Sequence, residues 1–501
     1  MWLHRNVVSL VTLVLQFPLV DAVAPVVDVS YSKYKGTDNG NGVTQWLGIR
    51  YAAPPLGDLR FMPPQDPPRS RKTKDATKWK PKCVTQSAKA SLIGKSQSED
   101  CLFLNVFAPT NASSRSKLPV FFYLQGGAFN DNSRPKINGT SLVQASGMKV
   151  VVVTLNYRVS VLGFMSYGNM TQPNNGLRDQ RKALEWVQKY IKRFGGNPNQ
   201  VVLGGSSSGG SSVALHLAAF GGRDDKLFHA AAAESISASP IRTIDQAAYQ
   251  AAGIINRLGC PAEDAMACMR NKTIAEIIAA NIKVPYPGGQ RLRSDGLANS
   301  FSQGKFVKVP SIVGATTNEG NAFTPAASSQ TEVVDFFNAE FPLVQSTQIT
   351  NITNLYPDLI TTCLKAGCLK GPLSDAYGDM RFLCPGVSIS ESMSQWMLNK
   401  TWNYWYNVQD PAAPGRGVPH CDETNAIWGP GNSGQATPES YYAGAVNYGA
   451  VNVVQGYWLS FIHSYDPNKY RSADSSVWGV YSKTSRQRLV FETGGKTNLQ
   501  N

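Results

Sequence analysis

One short segment, from Gly204 to Gly210, constrains the fold of this chain more than any other. It contains the spacing G-x-S-x-G around Ser207, with glycine two residues before and two residues after the serine. Such glycines are needed where a strand turns so sharply into a helix that side chains would collide with neighbouring backbone. The flanking residues predict that context, because Val201 to Leu203 read as a buried strand and Val213 to Phe220 as the packed face of a helix. A glycine-serine linker has a similar composition but lacks such flanks. We therefore predict that Ser207 is a nucleophile at a strand-to-helix turn.

The length and composition indicate one large globular domain behind a secretion signal. The chain has 501 residues, of which 42% are apolar, enough to bury a large core. Residues 1–22 combine Arg5, an apolar run and the small residue Ala22, which is the pattern of a signal peptide. No repeat or low-complexity linker interrupts the remainder, so we expect residues 23–501 to form a single domain. No later segment approaches the roughly 20 continuous apolar residues of a membrane-spanning helix, and we expect no membrane span.

Six N-x-S/T sequons and eight cysteines fit an extracellular protein. The cysteines form no C-x-x-C pair and are too dispersed for a zinc cluster, so we expect disulfides and no metal site. The candidate glycosylation sites are Asn111, Asn138, Asn169, Asn271, Asn351 and Asn399.

The formal net charge is +14, and basic residues concentrate between Arg69 and Lys82. A basic cluster attracts acidic surfaces or polyanions, although a solvated loop has the same composition. No aromatic interleaving and no nucleic-acid module accompany the cluster, so we do not expect nucleic acid as a partner.

Apolar runs recur along the chain as candidate strands, with helical segments such as Asp179 to Phe194 between several of them. Strands that alternate with helices predict an α/β fold with a mostly parallel central sheet and helices on both faces. Residues 236–305 and 324–397 are helix-rich insertions by pattern, and we expect them to pack as a cap beside the site. The candidate strands are Phe103–Phe107, Val120–Leu124, Val150–Leu155, Val201–Leu203 and Ile312–Ala315.

A serine hydroxyl needs a base that takes its proton, and histidine is the usual one. His420 stands in a loop rich in glycine and proline, directly after a strand-like run from Trp402 to Val408. Glu319 follows another candidate strand in the same way, and an acid is needed to hold the tautomer of the imidazole. Such loops carry catalytic groups at the carboxyl ends of strands. His4 lies in the signal peptide, and core or surface roles are expected for His216, His229 and His463.

Negative charge that develops on a carbonyl oxygen also needs preorganised donors. The glycine-rich turn from Gln125 to Phe129 follows the candidate strand Val120–Leu124, where backbone N–H groups can point at the site. We assign the donors of an oxyanion hole to the N–H groups of Gly127, Ala128 and Ser208.

Several further motifs coincide with one family. On these motifs the chain resembles the type-B carboxylesterase/lipase (cholinesterase-like) group of α/β-hydrolases, and in particular its secreted fungal members, over nearly the whole mature chain. The resemblance implies an α/β-hydrolase fold with helical cap insertions, a triad of Ser207, Glu319 and His420 in the chain order that this fold uses, and the oxyanion donors assigned above. It implies a small-molecule ester as substrate and no metal or cofactor. The motifs are Gly48–Phe61, Ser98–Val106, Asn156–Arg158, Asn175–Gly196, Asn318–Gly320 and Gly417–Glu423.

The resemblance further implies the disulfides Cys83–Cys101 and Cys260–Cys268. The four remaining cysteines, Cys363, Cys368, Cys384 and Cys421, allow three pairings. We favour Cys363 with Cys368 and Cys384 with Cys421, and the second bond would tether the loop of His420.

The sequence departs from the family at two positions near the site. Ser206 replaces the glutamate that usually precedes the nucleophile, and Gln125 replaces the histidine or aromatic residue that opens the oxyanion loop. We therefore expect no buried acidic group beside the nucleophile. The loop between Cys83 and Cys101 is mostly polar and has no tryptophan, so choline esters and lipid interfaces are not the expected substrates.

These observations predict a secreted, glycosylated carboxylic-ester hydrolase that forms an acyl-enzyme on Ser207. The same triad would serve lactone opening or acyl transfer in a biosynthetic or detoxifying pathway, because water and an alcohol compete for the same acyl-enzyme. A non-catalytic adhesion or binding protein of this fold is a further alternative, but such proteins usually lack a triad residue and this chain lacks none.

Overall fold

The computed structural model describes residues 25–238, 242–282, 296–341, 344–363 and 365–500. The signal peptide predicted for residues 1–22 lies outside the described residues. Among the helices of the described ranges, none combines the length and the apolar character needed to cross a bilayer.

The described residues form sixteen strands, eleven of which make one large sheet. The strands are β1 (Val26–Asp28), β2 (Lys33–Lys35), β3 (Thr37–Asp38), β4 (Val43–Arg50), β5 (Thr73–Asp75), β6 (Lys82–Cys83), β7 (Gln97–Ser98), β8 (Phe103–Pro109), β9 (Leu118–Leu124), β10 (Val151–Leu155), β11 (Gly196–Ser206), β12 (Ala230–Glu234), β13 (Ser311–Thr316), β14 (Thr401–Asn407), β15 (Arg488–Glu492) and β16 (Lys496–Gln500).

Seven neighbouring strands in the middle of the large sheet run parallel, in the order β10-β9-β11-β12-β13-β14-β15. At one edge β8, β4 and β3 each pair antiparallel with their neighbour, and at the other edge β16 pairs antiparallel with β15. The expectation of a mostly parallel sheet is therefore confirmed. The carboxyl ends of β11, β13 and β14 meet at one edge, which is where a site is expected in such a sheet.

Fourteen α-helices surround this sheet in the described part of the chain. They are α1 (Thr140–Ala145), α2 (Ser160–Phe164), α3 (Asn175–Tyr190), α4 (Ser208–Ala218), α5 (Ile244–Arg257), α6 (Ala265–Asn271), α7 (Ile274–Ala280), α8 (Gly296–Ser302), α9 (Gln330–Glu340), α10 (Ser346–Leu355), α11 (Lys370–Gly378), α12 (Cys384–Trp396), α13 (Glu423–Trp428) and α14 (Tyr448–Ser464).

Two apolar layers cover the two faces of the sheet, because successive side chains of a strand point to opposite sides. In β9, Phe122 and Leu124 belong to the layer that includes α3 and α4, whereas Phe121 and Tyr123 belong to the layer that includes α13 and α14. All four side chains are fully buried. Burial on both faces explains why these strands read as continuous apolar runs in the sequence.

The two helical insertions are only partly a cap. Helices α5, α6 and α7 share a separate apolar cluster, and α9, α10 and α11 share another. Helices α8 and α12 instead place Phe301, Ile389 and Met393 in the main apolar layer, where α12 contacts β13 and β14. The expectation that residues 236–305 and 324–397 pack as a cap is therefore wrong for these two helices, because α12 lies on the sheet and α8 packs against α12 and α4.

Three disulfides are present in the described residues: Cys83–Cys101, Cys260–Cys268 and Cys363–Cys368. The bond favoured between Cys384 and Cys421 is wrong. Cys384 is exposed at the start of α12 near Asp379 and Arg488, whereas Cys421 is buried beside Glu423. Burial raises the pKa of the Cys421 thiol well above its usual value, so Cys421 is a neutral thiol.

The predicted glycosylation sites differ in accessibility. Asn138 is half-buried, and its side-chain oxygen accepts a hydrogen bond from the backbone N–H of Thr140 at 3.0 Å. Glycosylation remains a prediction at all six sequons. The exposed sites are Asn111, Asn169, Asn271, Asn351 and Asn399.

Reaction with a thiol reagent can test whether Cys384 and Cys421 are free. Without reductant, a thiol reagent should label one cysteine of the native protein, Cys384, and a second one, Cys421, only after denaturation. Cys384→Ser should remove the fast reaction and leave the second. Finding no reactive thiol in the denatured, unreduced protein would mean that the two cysteines are bonded to each other.

Candidate active site

Ser207 occupies a tight turn between β11 and α4. Its backbone angles are φ 58° and ψ −126°, a conformation that costs a non-glycine residue free energy and tends to occur at functional sites. The turn is possible because its neighbours have no side chain: a Cβ on Gly205 would lie 2.6 Å from the backbone carbon of Gly209, and one on Gly209 would lie 2.0 Å from the carbonyl oxygen of Leu124. The structure thus has the strand-turn-helix geometry that the motif predicts.

Glu319 and His420 are in direct contact. The Nδ1 atom of His420 hydrogen-bonds the Oε2 atom of Glu319, whose other oxygen accepts the backbone N–H of Thr316 at 2.7 Å. Glu319 is 2% exposed, so this contact is shielded from water. Asn318 fixes the two loops together, because its N–H donates to the carbonyl of Val418 and its side-chain oxygen accepts the N–H of Val418, both at 2.9 Å.

The other ring nitrogen of His420, Nε2, is buried and has no hydrogen-bond partner among the described residues. Since Nδ1 donates to the carboxylate, Nε2 is left as a proton acceptor. Two phenylalanine rings pack against the imidazole, with ring centroids 5.1 Å away for Phe323 and 4.6 Å away for Phe382. The imidazole is therefore held by its carboxylate partner at one end and by apolar rings at its side.

The register of the parallel strands brings the serine to the same edge. Ser206 pairs with Glu234, Glu234 with Gly314 and Gly314 with Tyr404, so these four residues form one row across β11 to β14. Ser207 follows this row directly, and the loops of Glu319 and His420 follow the same strand ends. The described residues contain no hydrogen bond between Ser207 and His420, so the contact present in the structure is the one between Glu319 and His420.

The predicted oxyanion loop lies against Ser207. A Cβ on Gly126 would be 2.7 Å from the Cβ of Ser207. The carbonyl of Gly126 accepts the N–H of Ser133, and the carbonyl of Gly127 accepts the N–H groups of Asn130 and Asp131. Because a trans peptide points its C=O and N–H in opposite directions, the N–H groups of Gly127 and Ala128 face away from this turn.

Those two N–H groups donate no hydrogen bond within the described ranges, and neither does the N–H of Ser208, the first residue of α4. The first N–H groups of a helix have no partner inside the helix. Gly127, with φ 129°, and Ala128, with φ 54°, adopt the positive φ that makes this loop shape possible. The predicted donors are therefore available to an anionic oxygen.

Arg134 connects the oxyanion loop to the segment after His420, and no pattern in the sequence predicts this role. Its backbone N–H donates to the side-chain oxygen of Gln125 at 2.9 Å, while its guanidinium hydrogen-bonds Thr424 and the carbonyl of Cys421. Gln125 is held in turn, because its amide donates to the carbonyl of Leu155 at 2.9 Å. Arg134 is 6% exposed, and we refer to it and its partners as the Arg134 junction.

Two further buried carboxyl groups were missed from the sequence. Glu234 accepts hydrogen bonds from the hydroxyl of Tyr123 at 2.7 Å and from the indole of Trp458 at 3.3 Å, and burial raises its pKa to about 7. Glu423 accepts from the hydroxyl of Tyr404 at 2.9 Å, and burial raises its pKa to about 8, with nearby Glu319 as the next cause. Burial and the neighbouring carboxyl group of Glu319 thus both favour the protonated form of Glu423.

The position of Glu234 differs from what we expected for the surroundings of the nucleophile. A buried acidic group beside Ser207 was expected to be missing, because Ser206 replaces the usual glutamate. The neighbouring strand supplies one instead, since Glu234 pairs with Ser206 and its backbone carbonyl accepts the N–H of Ser207 at 2.9 Å.

The other histidines lie elsewhere. His216 is buried in α4, with Nε2 2.9 Å from the side-chain oxygen of Gln180, and burial lowers its pKa to about 3. His229 and His463 are half-buried, and burial lowers the pKa of each. No group of three or more metal-ligating side chains occurs among the residues described.

The known proteins that are similar to this chain include esterases and lipases. A model of the carboxylesterase family matches residues 23–501. A secreted lipase of Gibberella zeae is 28% identical over 90% of this chain and 85% of its own length, and a para-nitrobenzyl esterase of Bacillus subtilis is 29% identical over 93% and 95%. The crystal structure of EstA from Aspergillus niger has a TM-score of 0.88 and 39% identity, and the match covers 95% of each chain.

The Arg134 junction predicts a kinetic effect. Arg134→Ala should lower kcat for a nitrophenyl ester by about ten- to a hundred-fold with little change in KM, because small displacements of catalytic groups are costly. Arg134→Lys should restore part of the loss, and Arg223→Ala, at an exposed arginine, serves as the control. A lower melting temperature with unchanged kcat would show that the junction only supports the fold.

The raised pKa of Glu423 predicts a pH-dependent stability. Unfolded, the carboxyl group releases its proton above about pH 4.5, whereas the folded protein keeps it until about pH 8, so the wild type loses stability as the pH rises between these values. In Glu423→Gln this loss is absent, so the free energy of unfolding of the variant relative to wild type should rise as the pH rises. Denaturant titrations at pH 5 and pH 8 check this, with Glu439→Gln at an exposed position as control. A constant difference between the two pH values would contradict it.

Proposed function

We propose that this chain, which belongs to the carboxylesterase family, hydrolyses a small carboxylic ester through an acyl-enzyme formed on Ser207. Its class as a serine carboxylic-ester hydrolase follows from that membership. The assignment of the individual residues rests on one observation: a buried carboxylate holds Nδ1 of His420, and Nε2 is buried without a partner at the edge where the strained serine lies.

In the first half-reaction, His420 Nε2 takes the proton of the Ser207 hydroxyl as its oxygen attacks the ester carbonyl. Glu319, held by the N–H of Thr316, stabilises the imidazolium that results. The same proton then passes from Nε2 to the leaving alcohol, and the acyl group stays on Ser207. In the second half-reaction His420 Nε2 takes a proton from water as the water oxygen attacks the acyl carbonyl. The proton then passes to the Ser207 oxygen as the acyl–serine bond breaks and the carboxylic acid leaves.

The oxygen of the attacked carbonyl becomes negative in each half-reaction. The N–H groups of Gly127, Ala128 and Ser208 are the proposed donors, because they lie around Ser207 without other acceptors in the described structure. One such donor contributes roughly 3 to 4 kcal/mol to the lowering of a reaction barrier. The donors of the oxyanion hole are therefore in place before the negative charge develops on the carbonyl oxygen.

The surroundings of His420 favour an apolar substrate. Phe323 and Phe382 stack on each other with ring centroids 5.3 Å apart, and Phe323 is 41% exposed beside the imidazole. An exposed aromatic ring next to the base offers an apolar contact to a substrate group near the scissile bond. We propose an uncharged ester for this site, since a choline-type cation lacks the tryptophan it would need in the loop between Cys83 and Cys101.

We place the protein outside the cell. Three disulfides stabilise the fold, and such bonds persist in oxidising compartments. The pattern of residues 1–22 and the six sequons support the same location, as does the similarity to a secreted lipase.

The nucleophile assignment predicts a large and specific loss. Ser207→Ala should lower kcat for a short-chain nitrophenyl ester by about a thousand-fold or more and should abolish labelling by a fluorophosphonate, because both reactions need the hydroxyl. Ser91→Ala, at an exposed serine, is the matched control and should change neither. Labelling of the wild type is itself a test, since a non-catalytic binding protein would not react. Full activity in Ser207→Ala would refute the assignment.

A further inference from the structure

The basic segment noted in the sequence is part of a larger charged surface away from the active site. Six exposed cations lie on strands β2 and β5 and on the chain that leads into β5, and we call them the basic patch. They are Lys33, Lys35, Arg69, Arg71, Lys72 and Lys74. The proposed hydrolysis uses none of them.

The fold brings the two segments of the patch side by side. In the small sheet formed by β1, β2 and β5, Lys33 pairs with Thr73 and Lys35 with Asp75, so the lysines of β2 lie one strand, about 5 Å, from β5. The backbone N–H of Ser70 donates to the carbonyl of Tyr31 at 2.7 Å, which places Arg69 and Arg71 next to the start of β2. The patch is therefore a property of the folded chain and not only of its sequence.

The patch carries a strong local excess of positive charge. None of its six side chains forms an ion pair within the described residues. Asp28 pairs with Lys33 and Asp75 with Lys35 across the small sheet, so two carboxylates offset part of the charge of the six cations and a net positive excess remains. Charges this close act together, because screening at physiological salt extends over about 8 Å. Such a surface attracts a polyanion.

A cleft of about 360 Å³ adjoins the patch and gives it chemical selectivity. Arg69 forms one side of the cleft, and helix α3 forms the other with Lys182 and Lys189. Between them lie the rings of Tyr31 and Tyr190, which pack edge to face with centroids 5.6 Å apart. Each of the two tyrosines is only 7% exposed, so the cleft presents mainly charged side chains.

The same cleft contains two carboxylates, Asp66 and Glu185. Asp66 pairs with Lys182, which keeps the pKa of Asp66 below its ordinary value and the group ionised. Carboxylates repel any polyanion, but they accept hydrogen bonds from hydroxyl groups, which a sugar polymer carries on its units and duplex DNA lacks. Arg69 and Lys189 as cations for acidic groups, together with carboxylates that accept hydrogen bonds from hydroxyls, fit an acidic sugar polymer better than duplex DNA.

The patch and the nucleophile are well separated. The small sheet lies over β4, where the hydroxyl of Tyr34 accepts the N–H of Arg50 at 3.3 Å. In the large sheet β4 is four strands from β11, which ends at Ser207, and at about 4.8 Å per strand this is roughly 19 Å. A polymer on the patch leaves the edge that carries Ser207 open.

We propose that the basic patch and its cleft bind an anionic polysaccharide. Binding holds the enzyme on the polymer while the active site remains free to act on esters on or near it. The partner is recognised by its carboxylate or sulfate groups together with its sugar hydroxyls.

The test compares two variants that lose the same charge. One replaces Lys33, Lys35, Lys72 and Lys74 by glutamine. The control replaces four exposed lysines elsewhere, Lys149, Lys365, Lys400 and Lys483, by glutamine, so both variants lose four positive charges. Binding of the full-length protein to immobilised polygalacturonate is measured as a function of NaCl concentration, with heparin as the sulfated probe and duplex DNA as the competing polyanion.

The wild type should bind at least one of the two polysaccharides at 0.15 M NaCl. The patch variant should lose about ten-fold or more in affinity and show a shallower dependence on salt, because fewer ions are displaced on binding. The control should change by less than about two-fold, and both variants should keep the wild-type rate on a soluble nitrophenyl ester. The proposal would be overturned by an equal loss in both variants, by no binding of the wild type, or by tighter binding to DNA. These outcomes would not affect the assignment of Ser207 as the nucleophile.

Discussion

The site depends on the crowding of backbone around Ser207. The carbonyl of Leu124, the turn at Gly126 and the start of α4 all lie so close to the serine that Gly205 and Gly209 have no room for a side chain. This crowding holds Ser207 in a conformation that serine avoids elsewhere, and it also places the oxyanion loop beside the hydroxyl. One packing constraint therefore positions both the proposed nucleophile and the proposed donors. The strands position the other two residues of the site, because their shared register brings the loops of Glu319 and His420 to the same edge of the sheet.

The electrostatics of the site depend on which buried carboxyl group is ionised. Three glutamates lie behind the nucleophile and the base, and they are distinguished by their contacts. Glu319 faces His420 and the N–H of Thr316, whereas Glu423 is surrounded by hydroxyl groups and by the charge of Glu319. Burial raises the pKa of Glu234 to about 7, and the charge of Arg134 opposes this rise. Of the three, Glu319 is thus the carboxyl group placed to stabilise an imidazolium at His420.

The features that the sequence predicted are local. The G-x-S-x-G spacing and the apolar runs were sufficient to predict the turn at Ser207 and the mostly parallel sheet, because close packing and burial act directly on neighbouring residues. Arg134 and Glu423 were missed, since a single charged residue shows its buried partners only after the chain has folded. The pairing of Cys384 with Cys421 was wrong for a similar reason: spacing does not reveal that one is exposed and the other enclosed. Helices α8 and α12 were assigned to the cap because periodicity shows that a helix has an apolar face but not what that face covers.

The central claim is that Ser207 and His420 act as one unit with Glu319. The most direct measurement is a double-mutant cycle on kcat for a nitrophenyl ester, with Ser207→Ala, His420→Ala and the combined variant. If the two residues act in the same step, the double variant should be about as slow as either single variant, because the second substitution removes a group that no longer has a role. Losses that multiply in the double variant would mean that serine and histidine act independently, which would contradict the account.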